Sequence, residues 1–396
     1  MSTDDQPRTQ QETTDPMPMK YPNPDLYQVD SLDDVYSPSP LIFRDWVQHN
    51  LKEMIRIAEG PDRLRPHCKT HKTREIIQME IDLGILKHKC ATIAEAEVLA
   101  ELGVKDILLA YQMVGPNLNR IAKLVDRFSA SRFTVLVDNP KSVMQLESVL
   151  ENESDSSAPL DVMLDLNPGM DRTGIAPGDA AIELYDMIST SNRIAAAGLH
   201  WYDGHHRQSD LAERTGRVNA GWESLTQFRN QLLLNGYQVP RIVTAGTGSF
   251  PILARNGEPN LELSPGTTVL HDDDMATRFP EMNFVPALAI LTRVVSKRGP
   301  FQITLDVGHK SCAADQPAGR RLFFPKIPDA QEILHSEEHL VIQTDFAKQI
   351  EVGDPFLAIP RHACPVANVH RTATVVAGQK VIGHWEFAAR DRCLTI

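Results

Sequence analysis

The chain has 396 residues, enough for one large barrel-sized domain and a smaller second one. Its composition, 42% hydrophobic and 23% charged, is that of a folded globular protein rather than a disordered or fibrous one. A formal net charge of -12 argues against general binding to nucleic acid or to an anionic membrane surface, while leaving room for a local basic pocket that takes a phosphate group.

The N-terminal stretch MSTDDQPRTQQETTDPMPMK is polar and acidic. It has neither the basic start nor the apolar run of a secretory signal, so residues 1–20 are expected to form a disordered tail. No apolar run approaches a membrane span. The five cysteines (Cys68, Cys90, Cys312, Cys364 and Cys393) form no CxxC pair. They are expected to be free thiols in a reducing, cytoplasmic compartment, with one available as a ligand.

Residues 21–45 (YQVDSLDDVYSPSPLIF within them) read as a lead-in that packs on a later β domain. Residues 46–279 read as an α/β barrel domain. Short apolar runs end near Lys69, Cys90, Ala110, Val137, Leu166, His200, Ala245 and Leu270, with amphipathic stretches between them. Examples are 94–103, 139–151 and 213–236, the last stopping on Gly236. Eight strands with this rhythm fit a (β/α)8 barrel of the TIM type. An open doubly wound sheet has a similar rhythm and remains the alternative. From 280 to 396 helical periodicity is weak and alternation recurs, as in ALAILTRVVSKRGPFQITLDVGHK and FLAIPRHACPVANV, so this part reads as mostly β.

Five constellations carry possible chemistry. Arg65-Pro-His67-Cys68-Lys69-Thr-His71-Lys72 falls where the first barrel strand should end, at the edge that bears catalytic groups. Cationic neighbours disfavour a protonated lysine, which suits a Schiff-base role for Lys69. A solvated basic loop and a metal site from His67, Cys68 and His71 are the other readings. Asp165–Gly174 places Arg172 beside the mouth, or else forms a plain turn. His200-Trp-Tyr202-Asp-Gly-His205-His206 offers a phenol and three imidazoles. Gly246-Thr247-Gly248-Ser249, before a helix at the end of the seventh strand, could cradle a phosphate. Arg361-His362-Ala-Cys364, taken as a strand, would point His362 and Cys364 to one side as ligands of a soft divalent metal. A buried Cys beside a hydrogen-bonded His is the alternative there.

In this order the stretches RPHCKTHKT, DLNPGMDRTG, GLHWYDGHH, TAGTGS, ELSPGTTVLHD, LDVGHKSCAAD and PRHACPVANVH resemble the fold-type III pyridoxal-phosphate enzymes, within the D-serine dehydratase and D-threonine aldolase group. The resemblance covers everything after the tail. It implies an alanine racemase-like barrel with a C-terminal β domain. It implies that Lys69 holds pyridoxal 5'-phosphate as a Schiff base, with His67 in the cofactor site. Arg172 and Tyr202 would contact the ring, and Gly246, Thr247, Gly248 and Ser249 the phosphate. His362 and Cys364 would hold a divalent metal, zinc before magnesium or manganese because of the thiolate. A Cys rather than an Asp in that pair points to the dehydratases. Trp201 and Thr268 depart from the family pattern, at positions expected near the substrate.

The activity implied is β-elimination from a D-3-hydroxy amino acid such as D-serine, giving a 2-oxo acid and ammonia. Retro-aldol cleavage of D-threonine or 3-hydroxy-D-aspartate, with His205 or His206 as base, is the second reading. A pyridoxal-phosphate carrier is a non-enzymatic third. The expected partners are a small D-amino acid and a second copy of the chain, with neither nucleic acid nor membrane.

Overall fold

The computed structural model of the protein describes residues 20–396. The expected tail lies outside the described residues apart from Lys20. Strand β1 (Ser39–Phe43) leads into the helix Arg44–Ala58, whose buried Val47, Leu51, Met54 and Ala58 recur at helical spacing.

Seven parallel strands follow: β2 (Lys87–Cys90), β3 (Asp106–Gln112), β4 (Arg132–Val137), β5 (Leu160–Leu166), β6 (Ile194–Trp201), β7 (Ile242–Thr244) and β8 (Leu261–Leu263). They pair in chain order, with helices crossing between them. Residues 64–67 complete the ring. Leu64 bridges Leu263 of β8, and His67 bridges Lys89 of β2. This stave is irregular because Pro66 has no N–H to give. The result is a (β/α)8 barrel. The last strand stops at Leu263 rather than near Leu270. Pro265 and Gly266 interrupt the ladder, and Thr267–Val269 is a single 3-10 turn.

Side chains inside the barrel form three layers, as the alternation of strands requires. At the floor, near the strand starts, lie Arg65, Lys87, Asp106, Asp161, Arg241 and Glu262, joined by ion pairs. Above them Leu108, Leu136, Met163, Ala197 and Val243 make an apolar cluster. Above that the interior turns polar again. A bulge in β6 matters here. The β5–β6 register shifts between Val162 and Met163, so that Ala196 and then Gly198 face successive β5 residues. Gly198 sits at φ 121, and a Cβ there would lie 1.9 Å from Arg241 O, so only glycine fits. The extra residue changes the parity of the strand. It turns His200 and Tyr202 inward, and it sends Trp201 outward.

The second sheet is mixed. It contains β9 (Leu288–Arg298), β10 (Gln302–Leu305), β11 (Leu322–Phe323), β12 (Gln331–His335), β13 (Leu340–Gln343), β14 (Pro355–Pro360), β15 (Thr372–Ala377) and β16 (Lys380–Glu386). β1 lies between β9 and β15, antiparallel to the first and parallel to the second. Leu26, Tyr27, Leu41 and Phe43 share a core with Leu291, Leu357, Ile359 and Val376. One stretch read as strand is not strand. β14 ends at Pro360, and Ala363–Val369 is a helix. Among the described residues no helix is long and apolar enough to cross a membrane.

Candidate active site

Lys69 lies in the 3-10 turn Cys68–Thr70, directly after the irregular stave. The turn is held locally, since His67 Nδ1 accepts the Lys69 backbone N–H at 3.3 Å. Lys69 Nζ stands 5.6 Å from the centroid of the Tyr202 ring. Two more cations share that ring: Lys89 Nζ at 5.5 Å and Arg172 Cζ at 4.7 Å. The structure thus brings Lys69, His67, Arg172 and Tyr202 together.

Apart from His67, the cationic groups that flank Lys69 in sequence turn away from it in space. Arg65 points to the floor, into Glu262 and Asp106. Lys72 pairs with Glu95, and His71 turns toward Glu80. Cys68 faces Glu95, and burial pushes its thiol well above the ordinary range. His67, Cys68 and His71 therefore diverge and make no metal site. The reason is the turn itself: in a strand the alternation would align i and i+2, whereas a 3-10 turn fans them out.

Lys89, on β2, was not among the residues singled out from the sequence. It is 2% exposed and its Nζ lies 3.3 Å from His200 Nε2. His200 Nδ1 is 2.7 Å from Asp165 Oδ1, which leaves Nε2 free to accept from Lys89. Gln112 donates to the other Asp165 oxygen at 2.8 Å. Burial first, and the like charge of Lys69 second, lower the Lys89 pKa to about 7. The available signal was parity: Lys87 and Lys89 occupy alternate positions of one short barrel strand.

Two cavities meet at Lys69, His67 and Tyr202. One, of about 390 Å³, runs inward past Lys89, Gln112, Asp165 and His200. The other, of about 330 Å³, is lined by Gly246, Thr247, Gly248, Ser264, His206 and the second-domain residues Arg361, His362 and Cys364. Ser249 is buried instead. Its hydroxyl donates to Asp203 Oδ1 at 2.6 Å, and the same oxygen takes the Gly246 N–H at 2.8 Å. Asp203 therefore braces the turn from behind, and Ser249 serves the brace rather than the cavity. Its neighbours Gly246, Thr247 and Gly248 do line the cavity. His205 and His206 stack with ring centroids 4.1 Å apart, and His206 alone of the two lines the cavity.

His362 precedes the helix Ala363–Val369, and Cys364 lies in its first turn. They meet through a helix start, not across a strand face. The segment is bolted to the barrel at three points. Arg361 pairs with Asp273 at 2.5 Å, the Ala363 N–H donates to Asp272 Oδ2 at 3.2 Å, and Cys364 Sγ is 3.3 Å from Thr70 Oγ1, next to Lys69. His362 Nδ1 is 2.5 Å from Asp315 Oδ2. Burial opposes charge on His362, but the adjacent Cys364 and then Asp315 outweigh it and push the imidazole up to about 10. Burial likewise opposes the Cys364 thiolate, and His362 outweighs it, holding the thiol below its ordinary value. The two groups thus favour each other's charged form, and both line the cavity beside Lys69. Asp315, Asp272 and Thr70, which orient it, are distant in sequence and were not found from the sequence.

Trp201 and Thr268, expected near the substrate, line neither cavity. Trp201 lies over Gly221 of the helix Leu211–Leu234, where a Cβ would be 3.7 Å from its Cζ2. Thr268 is buried with its hydroxyl 3.3 Å from Met54 Sδ. Both pack between barrel and helices.

The family described as alanine racemase, N-terminal domain, matches residues 42–268. The chain belongs to that family. A serine dehydratase domain family matches 287–376, and the two together make the chain a fold-type III pyridoxal-phosphate enzyme and a lyase. It is 27% identical over 372 residues to a D-threonine aldolase of an Arthrobacter species, covering 91% of this chain and 94% of that protein. It is 23% identical over 381 residues to a D-serine dehydratase of Dictyostelium discoideum, covering 85% and 92%. The crystal structure of a D-threonine aldolase from Filomicrobium marinum superposes with a TM-score of 0.83 at 29% identity, covering 90% of this chain and 96% of that one.

The mouth fits the cofactor of a fold-type III enzyme. Lys69 faces both cavities, and the Gly-rich turn is tight enough that a Cβ on Gly248 would lie 2.4 Å from His206 O. Ser264 Oγ lines the same cavity, buried and without a hydrogen-bond partner among the described residues. For a metal the donors would be the nitrogen and sulfur of His362 and Cys364. Among the described residues no group of three or more His, Cys, Asp or Glu is arranged to hold an ion. Two protein ligands suit a position left open for substrate, not a closed structural site.

Proposed function

We propose that this enzyme carries out a metal-assisted β-elimination on a D-configured 3-hydroxy amino acid such as D-serine, giving a 2-oxo acid and ammonia. The observation that carries the reading is the His362–Cys364 pair, which lines the cavity that Lys69 faces and is tied through Thr70 to the turn that bears Lys69. Pyridoxal 5'-phosphate supplies an electron sink for the bond broken at Cα, and a divalent ion, zinc before magnesium or manganese, supplies a Lewis acid for the β-hydroxyl.

The chain's own residues do the rest. Lys69 anchors the cofactor and, once freed by the substrate amine, takes the Cα proton. Arg172 and Tyr202 hold the ring, Gly246, Thr247 and Gly248 hold the phosphate, and His362 and Cys364 hold the ion. Loss of the Cα proton and the β-hydroxyl leaves an enamine that hydrolyses to the products. The enzyme acts as a cytoplasmic homodimer in this reading.

Retro-aldol cleavage to glycine and an aldehyde is the second reading. It is favoured by the identity to D-threonine aldolases and by His206 in the cavity wall, where it could take the hydroxyl proton. D-threonine separates the two. Elimination gives 2-oxobutanoate and ammonia; cleavage gives acetaldehyde and glycine, and that result would replace the first reading. Cys364→Ala is expected to remove the chelator-sensitive turnover, by at least about tenfold to a hundredfold. The visible absorbance of the cofactor-loaded protein should persist. Unchanged turnover would remove Cys364 from the metal site.

A further inference from the structure

Nothing in the proposed reaction uses Lys89. Packing does not call for it either, because its side chain lines a cavity rather than a filled core. A buried lysine is costly unless something compensates it. The groups that face it are known. Lys69, His67 and Arg65 approach from the first stave, Asp165 and Arg172 from β5 and its loop, and His200 and Tyr202 from β6; β3 adds the neutral Gln112. Asp165 is the carboxylate in this group, and it is already engaged by His200 and Gln112. Lys69, Lys89 and Arg172 therefore converge on the Tyr202 ring with positive charge in excess, beside a cavity of about 390 Å³. Such a site is short of one anionic oxygen.

We propose that Lys89 is a cofactor-contact residue, its amine aimed by the His200–Asp165 pair at the anionic ring oxygen of the pyridoxal group. This rests on the cofactor reading given above. The amine donates toward the oxygen and holds it deprotonated, while His200, fixed by Asp165, keeps the amine from swinging to the floor. A substrate carboxylate is the other oxyanion that could take this position.

The test compares full-length Lys89→Met and Lys89→Arg with the parent, using pyridoxal 5'-phosphate itself. Removing the charge is expected to weaken cofactor binding to the apoprotein about tenfold. It should also move the pH midpoint of the loaded protein's visible absorbance upward, because a lost cation makes the ring oxygen easier to protonate. Lys89→Arg should recover most of both. If Lys89→Met binds and titrates like the parent, the proposal is overturned; a raised KM with an unmoved spectrum would give the residue to the substrate carboxylate instead. Should Lys89→Met not fold, the parent labelled with 13C at lysine Cε answers the question. The signal lost in Lys89→Arg should titrate higher with the cofactor bound than without it, and an unmoved midpoint overturns the proposal. Borohydride fixation is the control for the underlying reading. If no cofactor is fixed on Lys69 of the parent, the cofactor site and this proposal fall together.

Discussion

The two ends of the barrel interior hold similar residues and treat them in opposite ways. At the floor every cation named has a carboxylate: Arg65 with Asp106 at 2.9 Å and Glu262 at 2.5 Å, Arg241 with Asp106 at 2.9 Å and Asp161 at 3.1 Å, Lys87 with Glu262 at 3.1 Å. At the mouth Lys69, Lys89 and Arg172 converge on a phenol ring, and the nearby carboxylate, Asp165, is spoken for by His200. The apolar layer of Leu108, Leu136, Met163, Ala197 and Val243 separates the two. The same strands thus carry cations paired with carboxylates at one end and cations without a carboxylate partner among the described residues at the other. The first is a stability device. The second lies at the strand ends where barrel enzymes place their chemistry, and the ligand oxyanion proposed above fills it.

The sharpest break of this comparison is at the mouth. Lys69→Ala is expected to abolish both the visible absorbance of the cofactor-loaded protein and its turnover, with the melting temperature of the apoprotein little changed. Persistent absorbance would refute the assignment of the cofactor to Lys69.

At the floor the effect should be on stability instead. Arg65→Met strands Glu262 and Asp106 and is expected to cost about 3–5 kcal/mol in denaturant unfolding. The pH dependence gives a second check. Burial alone would raise these two carboxyls, but Arg65 outweighs it and holds both below their ordinary range. Their folded values lie below their unfolded ones, so the contribution is present above about pH 4 and is lost as pH falls through the folded values. Thermal melts of the parent should fall steeply in that acid window, and those of Arg65→Met should fall less. Equal slopes would detach the floor from acid stability.

The smallest effect sharpens the comparison from outside the barrel. Trp201→Phe should cost about 1 kcal/mol through packing on Gly221 and leave the ratio of rates for D-serine and D-threonine unchanged. A changed ratio would return this position to the substrate.

Much of the site is local in the sequence, and that part could be read directly. Lys69 and His67 lie in one turn, Tyr202 directly follows one strand, and Gly246, Thr247 and Gly248 form one loop, so each motif travels as a unit. His362 and Cys364 were legible as a pair, although the strand assigned to them is a helix start. What failed was inference from neighbours in sequence to neighbours in space. Arg65 and Lys72 flank Lys69 along the chain but pair with Glu262 and Glu95. Trp201 sits between two site residues, yet the bulge at Gly198 decides which of the three face inward.

By itself the sequence determined the barrel rhythm, the β character of the second domain, and the motifs whose donors lie within a few residues of one another. Hydrophobic period and turn chemistry are local properties, so they survive being read along a line. The tertiary structure alone decided that Lys89 stands beside Lys69, that Asp203 braces the Gly-rich turn and takes Ser249 with it, and that Asp315 and Thr70 contact His362 and Cys364. Those contacts depend on strand parity after a bulge and on how two domains close on each other. A long-range charge environment has no periodicity along the chain to reveal it.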